Sequence, residues 1–337
     1  MNLSIQNLNR YIVELLLSAG LEQSMAVDVA DIFVRATLRG VGHHDLSYLP
    51  QRLEWLTGHG VNPRPLFKLL RNFGATEVWD GDCGLGEAAC RHATLRSIEL
   101  AKVSGIGFAT IGRSNHFLAA SPYAEMGQEQ GFMTLVLSNT DPGMGGPGGN
   151  GLLLGNNPLG FSVPRAKGEA PLLLDLCMAY SSLGNLQALK KTGTAVPEYW
   201  GRNAHGQSTN DPAQVLEGGT VEPMAGYKGF GLALMNEALT GILSGGHYGH
   251  HVTPGGGINT HNQTVIALDL RAFGGAEWVA NRMEDLVKGL KEKEPNLRIP
   301  GERSFQAQSR QREEGIEIPE SLWSRLEEWK EKLKDKF

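Results

Sequence analysis

GMGGPGGNGLLLGNNP, residues 143–158, is the stretch on which the fold turns. Its first six residues satisfy the spacing G-x-G-x-x-G, through Gly143, Gly145 and Gly148. That motif works when a strand enters the loop and a helix leaves it with its N-terminus facing a pyrophosphate. Here Pro147 and the following NGLLLGNNP keep the chain out of a helix. The glycines read as an active-site or surface loop, and the Rossmann reading is set aside.

Outward from that loop the chain is mixed α/β. Short β-branched runs, TEVW (76–79), FATI (108–111), MTLVLS (133–138), PLLLDL (171–176) and QTVIALDL (263–270), read as strands, with helical patterns at 86–104 and 120–130. The first 75 residues differ, with helical periodicity over 4–19, ending at Gly20, and over 24–39, with Ser24 as N-cap and an end at Gly40. A third helix stops before GHG at 58–60. The last 55 or so residues turn charged and helical again, ending in SLWSRLEEWKEKLKDKF (321–337).

At 337 residues and 41% hydrophobic composition the chain can bury a large core, and its length predicts two lobes. A net charge of -5 gives no basic field for gripping nucleic acid, so a small molecule is the expected partner. Cys83, Cys90 and Cys177 show no CxxC spacing and cannot all pair with one another, which predicts a reducing compartment, the cytoplasm. The opening MNLSIQNLNRYIVELLLSAG lacks a basic start and is interrupted by Glu14, so it reads as an amphipathic helix. No run approaches the roughly 18–20 apolar residues that cross a bilayer.

Two polar clusters compete for the chemistry. GGHYGHHVTPGGG (245–257) offers His247, His250 and His251, with His261 close by, but lacks the fixed spacing that zinc ligands need. RGVGHHD (39–45) places His43, His44 and Asp45 just before a helix, where neighbouring side chains point apart, so one histidine alone faces a pocket. Pro50 sets that helix's start near Ser47 or Tyr48, with Ser47 as cap, and Tyr48 and Arg52 then share a face. GYKGFG (226–231) opens a helical run, a place suited either to a cofactor phosphate or to a tight packing turn.

The order of several motifs resembles the NAD(P)-dependent malate and L-lactate dehydrogenases of the second, non-Rossmann type. That family includes ureidoglycolate and sulfolactate dehydrogenases, 2,3-diketo-L-gulonate reductases and piperideine-2-carboxylate reductases. The matching pieces, besides RGVGHHD, are GRSNHFLAASPYAEMGQEQGF (112–132), SNTDP (138–142), GNNPLGFSVP (155–164), LLLDLCMAYSS (172–182), GYKGFGLALMNEALTGILSGG (226–246) and IPGERS (299–304) with a later EEGIEIP (313–319).

The resemblance implies an α/β fold with a largely antiparallel mixed sheet as the NAD(P)-binding lobe, over 75–282. A helical lobe built from both termini, 1–74 plus 283–337, lies beside it. It implies a homodimer or higher even homo-oligomer, and hydride transfer between NAD or NADP and a C=O/CH-OH or C=N/CH-NH carbon. By position, His44 falls on the family's proton donor or acceptor, His116 on its second active-site histidine and Asp141 on an acid near them. A histidine can pass such a proton reversibly and a carboxylate can orient it. Asn157, Pro158, Leu159, Asp175, Leu176, Cys177, Tyr227, Lys228, Gly229, Gly301, Glu302 and Arg303 fall along the dinucleotide.

The chain departs from the family at one place. Where the family reads SHG with an arginine four residues after the histidine, this sequence has His43, Asp45 and Tyr48. A guanidinium grips a carboxylate through two charge-assisted hydrogen bonds and a phenol through one. The expectation is that Arg52 takes the substrate carboxylate, while His43 and Tyr48 shape the pocket; the alternative is a substrate that lacks this carboxylate, with His43 and Asp45 binding a polar or cationic group. The competing readings are a catalytically silent cofactor-binding scaffold or sensor, and a metal-dependent hydrolase built on the histidine clusters.

Overall fold

The computed structural model describes residues 1–334 except 43, 59, 150 and 253–259. The expectations for His43 and for the PGGG loop at 254–257 lie outside the described residues. The chain opens with β1 (Asn2–Leu3) and α1 (Ile5–Ser18), whose cap Ser4 accepts the Asn7 N–H. Leu8, Tyr11, Ile12, Leu15 and Leu16 recur every three or four residues and form its buried stripe. Each large aliphatic side chain buried this way stabilises the fold by roughly 1.5–3 kcal/mol.

Two caps differ from expectation. α2 (Gln23–Leu38) starts one residue before Ser24, so that serine sits inside the first turn and bonds the Glu22 carboxylate instead of capping. The helix at Pro50 begins as a tight 3-10 turn, Leu46–Tyr48, that runs into α3 (Leu49–Thr57). Its cap is Asp45, which accepts the Ser47 N–H at 2.9 Å. Ser47 lies within the turn, so its own N–H is one of the donors needing a partner.

The sheet is built from β2 (Lys68–Phe73), β3 (Thr76–Asp80), β4 (Ile106–Ser114), β5 (Phe132–Ser138), β6 (Leu159–Val163), β7 (Leu172–Leu176) and β10 (His261–Asp269). Its order is β2-β3-β4-β10-β5-β6-β7, antiparallel throughout except between β3 and β4. That parallel pair is joined by α4 (Gly86–Ser104), the crossover a parallel connection requires. α5 (Ser121–Gln128) leads into β5.

The glycine loop leaves β5 and returns as β6, its antiparallel neighbour. Met144 within it bridges Leu154 and Val221, and its described residues contain no helix. A largely antiparallel sheet thus replaces the parallel, doubly wound one that a true phosphate loop would serve.

α6 (Leu183–Thr192), β8 (Gly201–Arg202), α7 (Pro212–Leu216), β9 (Thr220–Val221) and α8 (Tyr227–Glu237) follow β7 around a second core centred on Met178, Leu186, Val215 and Val221. After β10 come α9 (Ala276–Lys293), α10 (Glu302–Glu314), β11 (Ile316–Glu317) and α11 (Glu320–Lys334). The main core runs from Leu8 and Phe33 through Leu49 and Leu53 to Tyr123 and Leu326, so the last helix closes on the first three. β1 pairs with β11, Tyr11 donates to Glu327 at 2.7 Å, and Gln311 donates to the carbonyls of Thr37 and Leu38. α9 instead packs Val279 and Met283 against Phe161, Leu172 and Leu270 beside the sheet. The position 74/75 therefore falls in the β2–β3 turn, and 282/283 falls inside α9.

Candidate active site

A cleft of about 760 Å³ is walled on one side by the end of α2 with α3 and on the other by the ends of the central strands and the starts of α6 and α10. Its size lies within the roughly 300–1,000 Å³ typical of small-molecule sites. His44, Tyr48, His116, Asp141 and His261 all border it. The ring centroids of His44 and His116 are 5.2 Å apart, Tyr48 stacks nearly parallel to His116 at 5.9 Å, and His261 lies 6.1 Å from His116.

His116 is held by the turn after β4. The Asn115 side chain accepts the His116 N–H at 2.6 Å, and Gln263 on β10 donates to the Asn115 carbonyl at 3.0 Å. Gly86 opens α4 directly beneath this turn; a Cβ there would stand 2.1 Å from the Asn115 carbonyl oxygen. Only glycine permits that approach.

His116 Nδ1 lies 3.1 Å from the Leu118 backbone N–H and 3.0 Å from Nη2 of Arg52. Both partners can only donate, so Nδ1 must be the accepting lone pair and the neutral ring carries its hydrogen on Nε2.

Arg52 is wholly buried and does not border the cleft. Its Nε donates to Glu87 at 2.7 Å, Nη1 to Gln51 at 3.1 Å, and Nη2 to both Nδ1 and the carbonyl of His116. Its guanidinium also lies 4.5 Å from the Trp55 ring. The carboxylate contact expected of Arg52 does not fit this placement, because each nitrogen is already engaged and the side chain turns inward behind His116. Burial pushes the Glu87 carboxyl above its ordinary value, with Arg52 opposing. Burial likewise raises the Tyr48 phenol, which therefore remains a neutral donor at the cleft wall.

Asp141 was expected to orient a catalytic histidine; its hydrogen bond goes to His261, Nε2 to Oδ1 at 2.8 Å. Sequence reasoning had placed His261 only with the histidine loop before it. A usable signal was present: it stands at the mouth of the QTVIALDL strand, where a residue entering β10 faces the strand ends. Among the described residues no group of three or more His, Cys, Asp or Glu side chains is arranged to hold a metal ion.

Of the residues aligned with a dinucleotide, Pro158, Asp175, Leu176, Cys177, Gly301 and Arg303 border the cleft. Asn157 is buried behind it, joining Thr140, Glu237 and the Ala233 carbonyl, while Leu159 packs in the second core. Glu302 pairs with Lys291. Tyr227, Lys228 and Gly229 do not border the cleft, and a Cβ on Gly229 would meet the Met224 carbonyl oxygen at 2.3 Å, so this turn serves close packing.

The donors that do fit a phosphate-bearing cofactor include a set the sequence reading passed over. Ser182 caps α6, and Leu183, Gly184 and Asn185 in its first turn line the cleft. Gly301, Arg303 and Ser304 at the start of α10 line it too. Two helix N-termini with an exposed arginine form a suitable anion cradle. The serine cap before LGNLQAL was the available signal.

A family model described as malate/L-lactate dehydrogenase matches residues 3–327. The chain is 31% identical to a malate dehydrogenase of Pyrococcus abyssi, covering 94% of this chain and 91% of that protein. It is 30% identical to a (2R)-3-sulfolactate dehydrogenase (NADP(+)) of Chromohalobacter salexigens, covering 96% of each. Among solved structures, the sulfolactate dehydrogenase of Methanocaldococcus jannaschii superposes with a TM-score of 0.90 at 30% identity, covering 99% of this chain and 98% of that one. The Δ1-piperideine-2-carboxylate reductase of Pseudomonas syringae gives a TM-score of 0.90 at 27% identity, covering 98% and 99%.

Proposed function

The chain belongs to the malate/L-lactate dehydrogenase family, and from that premise we propose how its cleft carries out the reaction. It is an NAD(P)-dependent oxidoreductase acting on a small hydroxy/oxo or cyclic imino acid. The observation that carries the proposal is the convergence of His44, Tyr48, His116 and the Asp141–His261 pair on one cleft.

NADH or NADPH, when bound, supplies the hydride to the substrate carbon. The pair of electrons from the C=O or C=N bond then moves to the heteroatom, which takes up one proton. His116 receives that developing charge as a neutral Nε2–H donor; giving the proton away outright would leave an imidazolate, because Nδ1 is committed as an acceptor. The proton is therefore assigned to His44, 5.2 Å away ring to ring. Such a division, one neutral imidazole polarising and another group transferring the proton, is a workable form of general acid catalysis.

Arg52, anchored by Glu87, is a positioning residue that fixes the His116 tautomer. Tyr48 bounds the substrate on the α3 side. Along the opposite wall the proposal assigns the cofactor to Pro158, Asp175, Leu176 and Cys177 and to the starts of α6 and α10. Asn157 and Leu159 support that wall from behind, and the family-based assignments of Tyr227, Lys228, Gly229 and Glu302 to the cofactor and of His43 to the substrate are kept as part of the proposal.

A homodimer is proposed from the apolar face at α8 and the turn after it. Leu232, Leu234, Met235, Ile242 and Leu243 are each 41–51% exposed, and clustered exposed apolar side chains mark association surfaces. A cytoplasmic setting rests on Cys83, Cys90 and Cys177, none of which is joined in a disulfide among the described residues.

The test is a thermal-shift titration with NADH and NADPH followed by absorbance assays with 2-oxo acids and cyclic imino acids. A stabilising shift with consumption of reduced cofactor is the expected result. Absence of both binding and turnover would refute the reading.

A further inference from the structure

We propose that Asp141, held by His261, reads a hydrogen-bond-donating group on the substrate, so that the preferred substrate bears a hydroxyl or cationic nitrogen rather than a second anionic group. This rests on the oxidoreductase reading above and specifies its substrate.

Asp141 and His261 both border the cleft, the His261 ring 6.1 Å from that of His116. His261 is nearly buried, its side chain 3% exposed, whereas the Asp141 side chain is 31% exposed. The 2.8 Å bond from His261 Nε2 occupies Oδ1 of Asp141. Among the described residues Oδ2 has no partner and His261 Nδ1, also buried, has none either. The imidazole is thus committed to aiming one carboxylate oxygen while leaving the other open to the cleft. Such an oxygen accepts hydrogen bonds and repels an anion.

The cations around the cleft do not offset it. Arg39 is tied to Glu125 and Ser304. Arg52 lies behind His116, and Arg303 stands at the start of α10, among the donors assigned to the cofactor. A malate-like substrate would therefore bring its second carboxylate toward Asp141 with no described arginine or lysine committed to it. A hydroxyl, ammonium or guanidinium in that position would find an oriented acceptor. Because the acceptor is aimed by a buried ring, discrimination should exceed what a mobile surface carboxylate provides.

The test measures kcat and KM with saturating NADH or NADPH for 3-hydroxypyruvate, 2-oxo-5-guanidinopentanoate, pyruvate, oxaloacetate and sulfopyruvate. The wild type is expected to favour hydroxypyruvate or the guanidino acid over both dianions by at least about tenfold in kcat/KM. Which of the two leads identifies the donor as neutral or cationic. Asp141→Asn should erase that preference mainly through KM while leaving the dissociation constant of the reduced cofactor unchanged, and His261→Phe should weaken it in the same direction.

A wild type that prefers the dianions, an Asp141→Asn variant that slows all substrates alike, or one that weakens cofactor binding instead would each overturn the proposal while sparing the oxidoreductase reading. Failure of the wild type to bind either cofactor and to turn over any of the five would overturn both.

Discussion

Nη2 of Arg52 stands 3.0 Å from Nδ1 of His116, and since a guanidinium has no lone pair to offer, this contact, together with the Leu118 N–H at 3.1 Å, dictates which nitrogen of the imidazole bears its hydrogen. The pair sits between the helical lobe and the sheet, with Glu87 on α4 fixing the other side of the guanidinium at 2.7 Å. A residue in the first turn of α3 thereby sets the chemistry of a ring on the turn after β4.

Replacing Arg52 by Met is expected to lower kcat about a hundredfold with little change in cofactor affinity, since loss of an orienting partner typically costs about 10- to 100-fold. It also strands the Glu87 carboxyl in the core, a loss of about 3–5 kcal/mol. The double variant Arg52→Met, Glu87→Met should recover most of the stability and none of the rate. Denaturant unfolding alongside steady-state kinetics separates the two effects.

Gly86→Ala tests the packing beneath His116. With a Cβ placed 2.1 Å from the Asn115 carbonyl oxygen, either α4 or the RSNH turn must move. A destabilisation of about 3 kcal/mol is expected, in the range of overpacked cores, with a disproportionate fall in kcat. A variant as stable and active as the wild type would show that the turn is not clamped there.

His92 supplies a pH signature unrelated to catalysis. It is packed against Phe67 and Trp79, and burial, reinforced by Arg96, pushes its pKa down to about 4 from 6.5. Between those values the unfolded chain binds the proton and the folded chain does not. Stability is therefore complete above about pH 6.5 and declines as pH falls toward 4, by at most about 3 kcal/mol from this group. Melting curves of His92→Leu against wild type across that window should show a shallower acid decline in the variant.

Charging the exposed apolar face tests the proposed dimer. Leu234→Glu with Leu243→Glu is expected to halve the solution mass measured by light scattering. An unchanged mass would move the interface elsewhere.

Much of this architecture was legible because its signals are local. The periodic apolar stripe of α1, the run 86–104 that became α4, and the β-branched runs of β4, β5 and β10 specify their elements within a few residues. β2 was missed because KLLRNF is an exposed edge strand with no inside–outside alternation. β6 was missed because Leu159–Val163 follows Pro158 so closely that it reads as the tail of a loop.

The site was harder to read, since its decisive contacts are distant along the chain. Arg52 meets Glu87 35 residues later and Asp141 meets His261 120 residues later. Nothing in the stretch around Arg52 announces a buried carboxylate that will turn it inward. His44 and His116 were found through a resemblance in motif order, which transmits position but not the tautomer that their surroundings impose.

The division of labour between those two rings is tested most directly by the pH dependence of kcat/KM for substrate reduction, compared across wild type, His44→Gln and His116→Gln. The account predicts a fall toward alkaline pH in the wild type that disappears in His44→Gln and survives, at a lower rate, in His116→Gln. A fall that persists without His44 and vanishes without His116 would contradict it.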